Sequence, residues 1–414
     1  MRAAKYAFVT LVVALMGIGL GSNVFAFHSG GVAECVGCHS MHSANQQGSF
    51  LLIGKDQSST CLTCHEQAGL ATPSSYHVST AGADMGAGIA PKQRTPGGDF
   101  GWLKKDYTFV VRGTTTTELG ETHGHNIVAA DAGYIADAEN ATAPGGTYTS
   151  ANLGCQSCHD PHGRYRRLSD GTIAPTGSPI IGSGSYNNSA DPAAGQAVGV
   201  YRLLAGAGYD AGSGVSFTKD PPAAVAPSSY NATEATNQMR VAYGKGMSGW
   251  CAQCHPDMHT TSGRLVHPVD QNLGGTIKTI YDQYRKSGDM TGTNADSYNS
   301  LVPFEENSND YTALKLHAQN NNSYLTGPSD TSQVQCLSCH RAHAGGWMEG
   351  LRFNLEGEFM VYNGLWPGTD TTPTVPQFAR GRTSTETAAA YYDRPATQFA
   401  TYQRALCNKC HAKD

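Results

Sequence analysis

Residues 34–42 read ECVGCHSMH. Within them Cys35, Cys38 and His39 make a CxxCH. On a helical turn, positions i, i+3 and i+4 share one face, so two thiols and an imidazole can meet one planar group. That is the attachment signature of a c-type haem, with one iron ligand built in. A second histidine, His42, stands three positions further on. An iron that already has its histidine from this side has no evident use for another.

All 12 cysteines of the 414-residue chain lie in CxxCH motifs. Besides the first, these are Cys61/Cys64/His65, Cys155/Cys158/His159, Cys251/Cys254/His255, Cys336/Cys339/His340 and Cys407/Cys410/His411. A disulfide framework would suit an even cysteine count, but it gives no reason for a histidine after every second cysteine. With only 16 histidines in the chain, six of six is no accident. Zinc sites pair two CxxC motifs about 15–20 residues apart without the obligatory histidine. The reading is therefore six covalently bound haem c groups, each with a proximal ligand: His39, His65, His159, His255, His340 and His411.

The first 26 residues read as a signal peptide. Arg2 and Lys5 form a basic region, residues 6–20 are apolar, and Val24-Phe25-Ala26 fits a small-residue cleavage site before Phe27. Fifteen apolar residues fall short of the ~20 that cross a bilayer, and no other run is long enough, so no membrane span is expected. The expected mature chain, 27–414, is exported, where c-type haem is attached. Its formal charge is −5 and only 15% of residues are charged, against a usual ~25%. Haem propionates would make it more acidic still, and nothing in this balance points to nucleic acid.

The sites alternate. The first, third and fifth continue as CxxCHxxH, adding His42, His162 and His343; the others do not. Upstream of each odd site stands one more histidine: His28, His125 and His317. The chain thus divides into three dihaem modules, about 27–95, 96–275 and 276–414. Regular structure is expected to be sparse in so glycine-rich a chain (49 Gly). Ile277, Ile280, Tyr281 and Tyr284 predict a helix stopped by Gly288, and a second is predicted from Pro395 through Phe399, Tyr402 and Leu406. Residues 171–188 and 206–229 read as surface loops. The expected fold is mostly coil with a few short helices and little strand, and with the porphyrins serving as core.

Ten histidines lie outside the CxxCH motifs, enough for every iron to be bis-histidine. The best candidates for distal ligands are His42, His162, His343, His28, His125 and His317, with His77, His259 and His267 next and His123 unassigned. Methionine would raise the potential, but histidine is abundant enough to make it unnecessary. No CxxCH is altered to leave an open coordination position, so the haems read as electron carriers and catalysis is not expected.

Beyond the motifs, FHSGGVAEC (27–35), PGGDFGWLKK (96–105), CHDPHG (158–163), TEATNQMRVAYGKGM (233–247), CLSCHRAHA (336–344) and YQRALCNKCHAKD (402–414) closely resemble the outer-surface hexahaem c-type cytochromes of the OmcS type. The resemblance runs over essentially the whole expected mature chain. It implies a continuous row of six haems and a homopolymer that forms extracellular filaments. Such filaments carry respiratory electrons from upstream periplasmic or outer-membrane cytochromes to iron oxides, electrodes or partner cells. It also implies a use for His42, namely ligation of the fifth haem, bound at Cys336/Cys339/His340, of a neighbouring copy. Extended along the chain, that offset would give His343 to the third haem and His162 to the first. The even-numbered haems would draw on His28, His125 and His317, or on His77, His259 and His267. The competing readings are a monomeric periplasmic shuttle and, further off, a multihaem reductase.

Overall fold

The computed structural model describes residues 35–41, 51–68, 77–174, 193, 197–198, 203–225, 240–259, 269–318 and 322–411. The expected signal peptide and most of 171–188 lie outside them. Helices are short, the longest described being Gly274–Gln283 and Gln57–His65. Strands pair in small, separate two- and three-stranded sheets. Among the described residues no helix is long and apolar enough to cross a membrane. The fold is mostly coil, as the composition led one to expect.

The longest ladder is the antiparallel hairpin Tyr107–Val111 with Thr114–Glu118. Its two-residue turn places Arg112 and Gly113 at positive φ (52° and 82°), the mirror-image turn whose twist suits a tight hairpin. The ladder sets Tyr107 opposite Glu118 and carries both into the interior. There Glu118 Oε1 accepts from His123 Nε2 at 2.8 Å and from Arg382, while Oε2 accepts from Arg380 Nε at 3.2 Å. A buried carboxylate facing three nitrogen donors is the compensation such burial requires.

Side chains build more core than the glycine count suggests. The main cluster joins Trp102, Tyr281, Tyr284, Trp347, Trp366 and Tyr391, with Trp366 stacked on Tyr391 at 4.7 Å and 10°. Buried arginines are threaded between these rings. Arg382 lies over Tyr107 (4.1 Å) and Trp347 (4.3 Å), and Arg341 lies over Tyr392 (3.7 Å), cation–π contacts that offset part of the desolvation cost.

The helix Gly274–Gln283 forms where the apolar spacing predicts one, but it ends at Gln283, with Tyr284 as its cap and Gly288 beyond it. The helix predicted from Pro395 does not form. Residues Ala396–Gln398 make one 3-10 turn, and Phe399 then turns extended to pack edge-on against Trp366 (5.6 Å). Next, Gln403–Arg404 pairs with Phe359–Val361. Buried Gln403 donates to Tyr284 Oη at 2.7 Å and accepts from Ser287 N at 3.1 Å. These polar contacts need an extended chain and override the apolar spacing. Residues 206–225 are likewise not surface loop. Tyr209, Phe217 and Ala223 to Val225 are buried, and the segment carries short strands.

Candidate functional site

Each CxxCH is a compact turn. The histidine amide donates to the carbonyl of the first cysteine in the first (2.8 Å), third (2.9 Å), fourth (3.2 Å), fifth (3.0 Å) and sixth (3.0 Å), and the second closes the helix Gln57–His65. That helix is capped by Asp56, whose Oδ1 accepts from Ser59 N at 2.7 Å. One face of each turn therefore presents two sulfurs and an imidazole, as the spacing required.

The thiols order the sites in space. Cys38 lies beside Cys64, Cys158 beside Cys254, and Cys339 beside Cys407 and Cys410. Between these joints the first cysteines meet as free thiols, Cys61 hydrogen-bonded to Cys155 and Cys251 to Cys336. The six sites thus form one row in sequence order, with second-cysteine and first-cysteine joints alternating. Burial pushes the Cys158 and Cys339 thiols up to about 12.

Imidazoles oppose several proximal histidines. The rings of His159 and His343 are 6.4 Å apart, and those of His255 and His125 are 5.9 Å apart. Two imidazoles on opposite sides of one metal, each bonded at about 2 Å, have centroids roughly 6 Å apart. His77 stands close enough to His65 for their charges to interact. Burial first, then the facing His255, pushes His125 down to about 4, so its ring is neutral, the form that ligates metal. Backbone carbonyls fix the tautomers. His125 Nδ1 donates to Ala342 O (2.6 Å), His255 Nδ1 to Pro144 O (2.9 Å) and His340 Nδ1 to Glu349 O (2.8 Å). Nε2 is left as the lone-pair nitrogen in each. The donor set fits haem c: paired sulfurs, a neutral imidazole and, at the third and fourth sites, an opposing imidazole at iron spacing.

The surroundings hold these groups by close approach. His343 stacks on Phe100 at 4.6 Å, and its amide donates to Gly97 O at 2.7 Å. A Cβ at Gly97 would sit 3.0 Å from His343 Nδ1. In the fifth site Arg352 Nε donates to Leu337 O at 2.6 Å and to His340 O at 3.1 Å. In the sixth, buried Lys409 donates to Tyr284 O at 2.7 Å. Burial pushes its ammonium down to about 8.

The other candidates have different surroundings. His123 is fully buried, with Nδ1 on Trp102 O (2.9 Å) and Nε2 on Glu118 (2.8 Å), so both ring nitrogens are taken. His259 Nε2 meets Asp270 at 2.9 Å, and His317 Nδ1 meets Glu306 at 2.7 Å. His162 is 73% exposed and stands 3.9 Å from Asp160. His28, His42 and His267 lie outside the described residues. Sequence reading missed Ser58 and Ser248, which bind the neighbouring turns, although both stand three residues before a CxxCH, in SSTCLTCH and SGWCAQCH.

The doubled CXXCH motif family matches residues 28–70, the first two sites. The C-type cytochrome OmcS of Geobacter sulfurreducens is 56% identical over 94% of this chain and 95% of its own length. Two solved structures are similar over 94% of this chain and 100% of theirs, each with a TM-score of 0.85. They are the cryo-EM structure of OmcS nanowires (54% identical) and the outer membrane cytochrome S filament (55% identical), both from that organism. Fold, motif order and similarity over nearly the full length agree: the chain belongs to the OmcS family of c-type cytochromes.

Proposed function

We propose that this chain carries six covalently bound, bis-histidine haems and polymerises into an extracellular filament for long-range electron transfer. As a c-type cytochrome it is an electron carrier and not an enzyme. Bound haem supplies a one-electron iron couple, and the polypeptide's part is to hold successive irons in sequence and keep their axial positions filled. The observation that carries this reading is the unbroken row of sites from Cys35 to Cys410, joined alternately through second and first cysteines.

His343 serves the iron of His159, and His125 that of His255; the 6.4 and 5.9 Å ring separations support both. His77 serves the iron of His65. The second and fourth haems then draw on a mixed set, His77 from one of the two groups of candidates and His125 from the other. His162 serves the first haem, and His42 the fifth haem of a neighbouring copy. The three dihaem modules are stretches of one row whose packing is shared, since the main core joins Trp102 to Tyr281 and Tyr391. Similarity to OmcS nanowires and to an outer membrane cytochrome filament supports the polymer and a place on the cell exterior, reached by export. Upstream cytochromes load the row, and extracellular acceptors such as iron oxides, electrodes or partner cells unload it.

Haem quantitation with electron microscopy of the purified chain tests the reading. Six haems per chain and filaments are expected. Isolated particles would instead identify a monomeric shuttle. Binding of nitrite or carbon monoxide to much of the reduced iron would point to a reductase.

A further inference from the structure

At both first-cysteine joints a serine hydroxyl from one turn fastens the next. Ser58 Oγ accepts from the amide of Cys155 at 3.1 Å, and Ser248 Oγ accepts from the amide of Cys336 at 3.1 Å. Each hydroxyl also bonds the thiol of the same cysteine. The two serines are 1% and 0% exposed. Cys155 and Cys336 open their helical turns, where an N–H has no partner inside the helix, so a hydroxyl supplied by the preceding site satisfies it. The receiving turns match as well. In CQSC and CLSC, Ser157 Oγ accepts from Gly154 N at 3.0 Å and Ser338 Oγ from Gln335 N at 3.2 Å. At the second–third joint the fit is close enough that a Cβ on Gly154 would sit 2.7 Å from Ser58 Oγ.

The outer sites lack both halves of this arrangement. Arg404 stands three residues before Cys407, where the donor sites have serine, and the first motif, CVGC, has Gly37 where the receivers have serine.

We propose that Ser58 and Ser248 are positioning residues for electron transfer, fixing the mutual orientation of the second and third haems and of the fourth and fifth. The inference rests on the six-haem reading. A macrocycle tied to a turn by two thioether bonds and an iron–histidine bond takes its orientation from that turn. A hydroxyl spanning two turns therefore locks two macrocycles together. The joint between copies, which has neither serine, is fastened by other means.

The test uses the full haem-loaded chain and the bisignate circular dichroism of its Soret band, which reads haem–haem orientation. Ser58→Ala and Ser248→Ala should each keep six haems and unchanged low-spin absorption while losing part of the couplet. In the double variant the two losses should add, because the joints share no partner. Electron transfer along the row after photoreduction at one site should slow in parallel. Ser59→Ala is the control for mere destabilisation: this buried serine caps the same helix through Asp56 at 2.8 Å, and its hydroxyl bonds no cysteine of the next turn. An unmoved couplet in the double variant, or an equal change in Ser59→Ala, would overturn the proposal. So would loss of the Cys155 haem from Ser58→Ala, since the hydroxyl would then serve attachment. Fewer than six haems in the parent chain would overturn the underlying reading instead.

Discussion

Glu118→Gln keeps the shape of a fully buried side chain and removes its charge, leaving Arg380 and Arg382 facing an amide. The carboxylate is 2% exposed, and its partners are no more than 9% exposed. Burial by itself would raise its pKa, but the His123 hydrogen bond and the Arg382 charge outweigh it and hold the group at about 2, against an ordinary 4.5. That depression corresponds to about 3 kcal/mol of folding free energy, in line with the ~3–5 kcal/mol lost when one partner of a buried ion pair is removed. Because the folded pKa is the lower one, this stability is fully present above about pH 4.5 and is lost as pH falls through about 2. Denaturant unfolding of the two proteins, followed by Soret circular dichroism, should therefore separate them by about 3 kcal/mol at pH 7. The gap should narrow progressively below pH 4.5. Equal stabilities at pH 7, or a gap that persists unchanged at pH 2.5, would refute the assignment of Glu118 as the charge that balances the arginines.

His343→Ala should retain all six haems yet convert one iron to a high-spin or water-bound form by electron paramagnetic resonance, whereas His123→Ala should leave every iron low-spin. His42→Ala should keep full haem attachment, with shortened or absent filaments by electron microscopy and one iron losing its low-spin signature. Glu305 is pushed up to about 8 by burial, with Asp270 adding to the effect. Its contribution to stability is present at acidic pH and lost as pH rises through about 8, so Glu305→Gln should flatten that decline in a melting series from pH 5 to 9. Cys155→Ser removes a bond to the porphyrin at a buried joint, and it should lower both haem count and melting temperature more than a surface substitution does.

What the sequence made legible was the local chemistry. Two sulfurs and an imidazole at i, i+3 and i+4 need only one turn, so all six CxxCH turns could be read directly. Their partners come from distant segments, His125 meeting His255 and His343 meeting His159. The offset implied by the resemblance assigns His343 to the third haem, whereas for the even haems it leaves two sets open, with His125 in one of them. His123, left unassigned among the ligands, is occupied by the carboxylate of Glu118, which its nearness to His125 in sequence does not reveal. The spacing of Phe399, Tyr402 and Leu406 imitated a helix because Phe399 packs half-buried against Trp366 while Gln403, between them, is held by Tyr284. The Ser58 and Ser248 contacts left a signature, SxxCxxCH before CxSCHxxH, whose meaning appears only when two turns are seen together.

The contacts around Glu118 also constrain the order in which the protein can be made. Residues 94–123 close onto 380–394: Arg94 Nε meets Asp393 at 2.7 Å, Tyr392 Oη donates to Thr95 O, and Tyr107 Oη donates to Glu386 at 3.2 Å. A chain made from its N-terminus cannot complete this zipper until residue 394 has emerged. By then five of the six CxxCH motifs have already emerged. Until that moment Arg94, Thr95 and Tyr107 lack these partners. The Cys61–Cys155 joint needs none of them, since Ser58 Oγ already accepts from Cys155 N. A chain cut short before residue 380 would keep that joint's residues and lose the zipper.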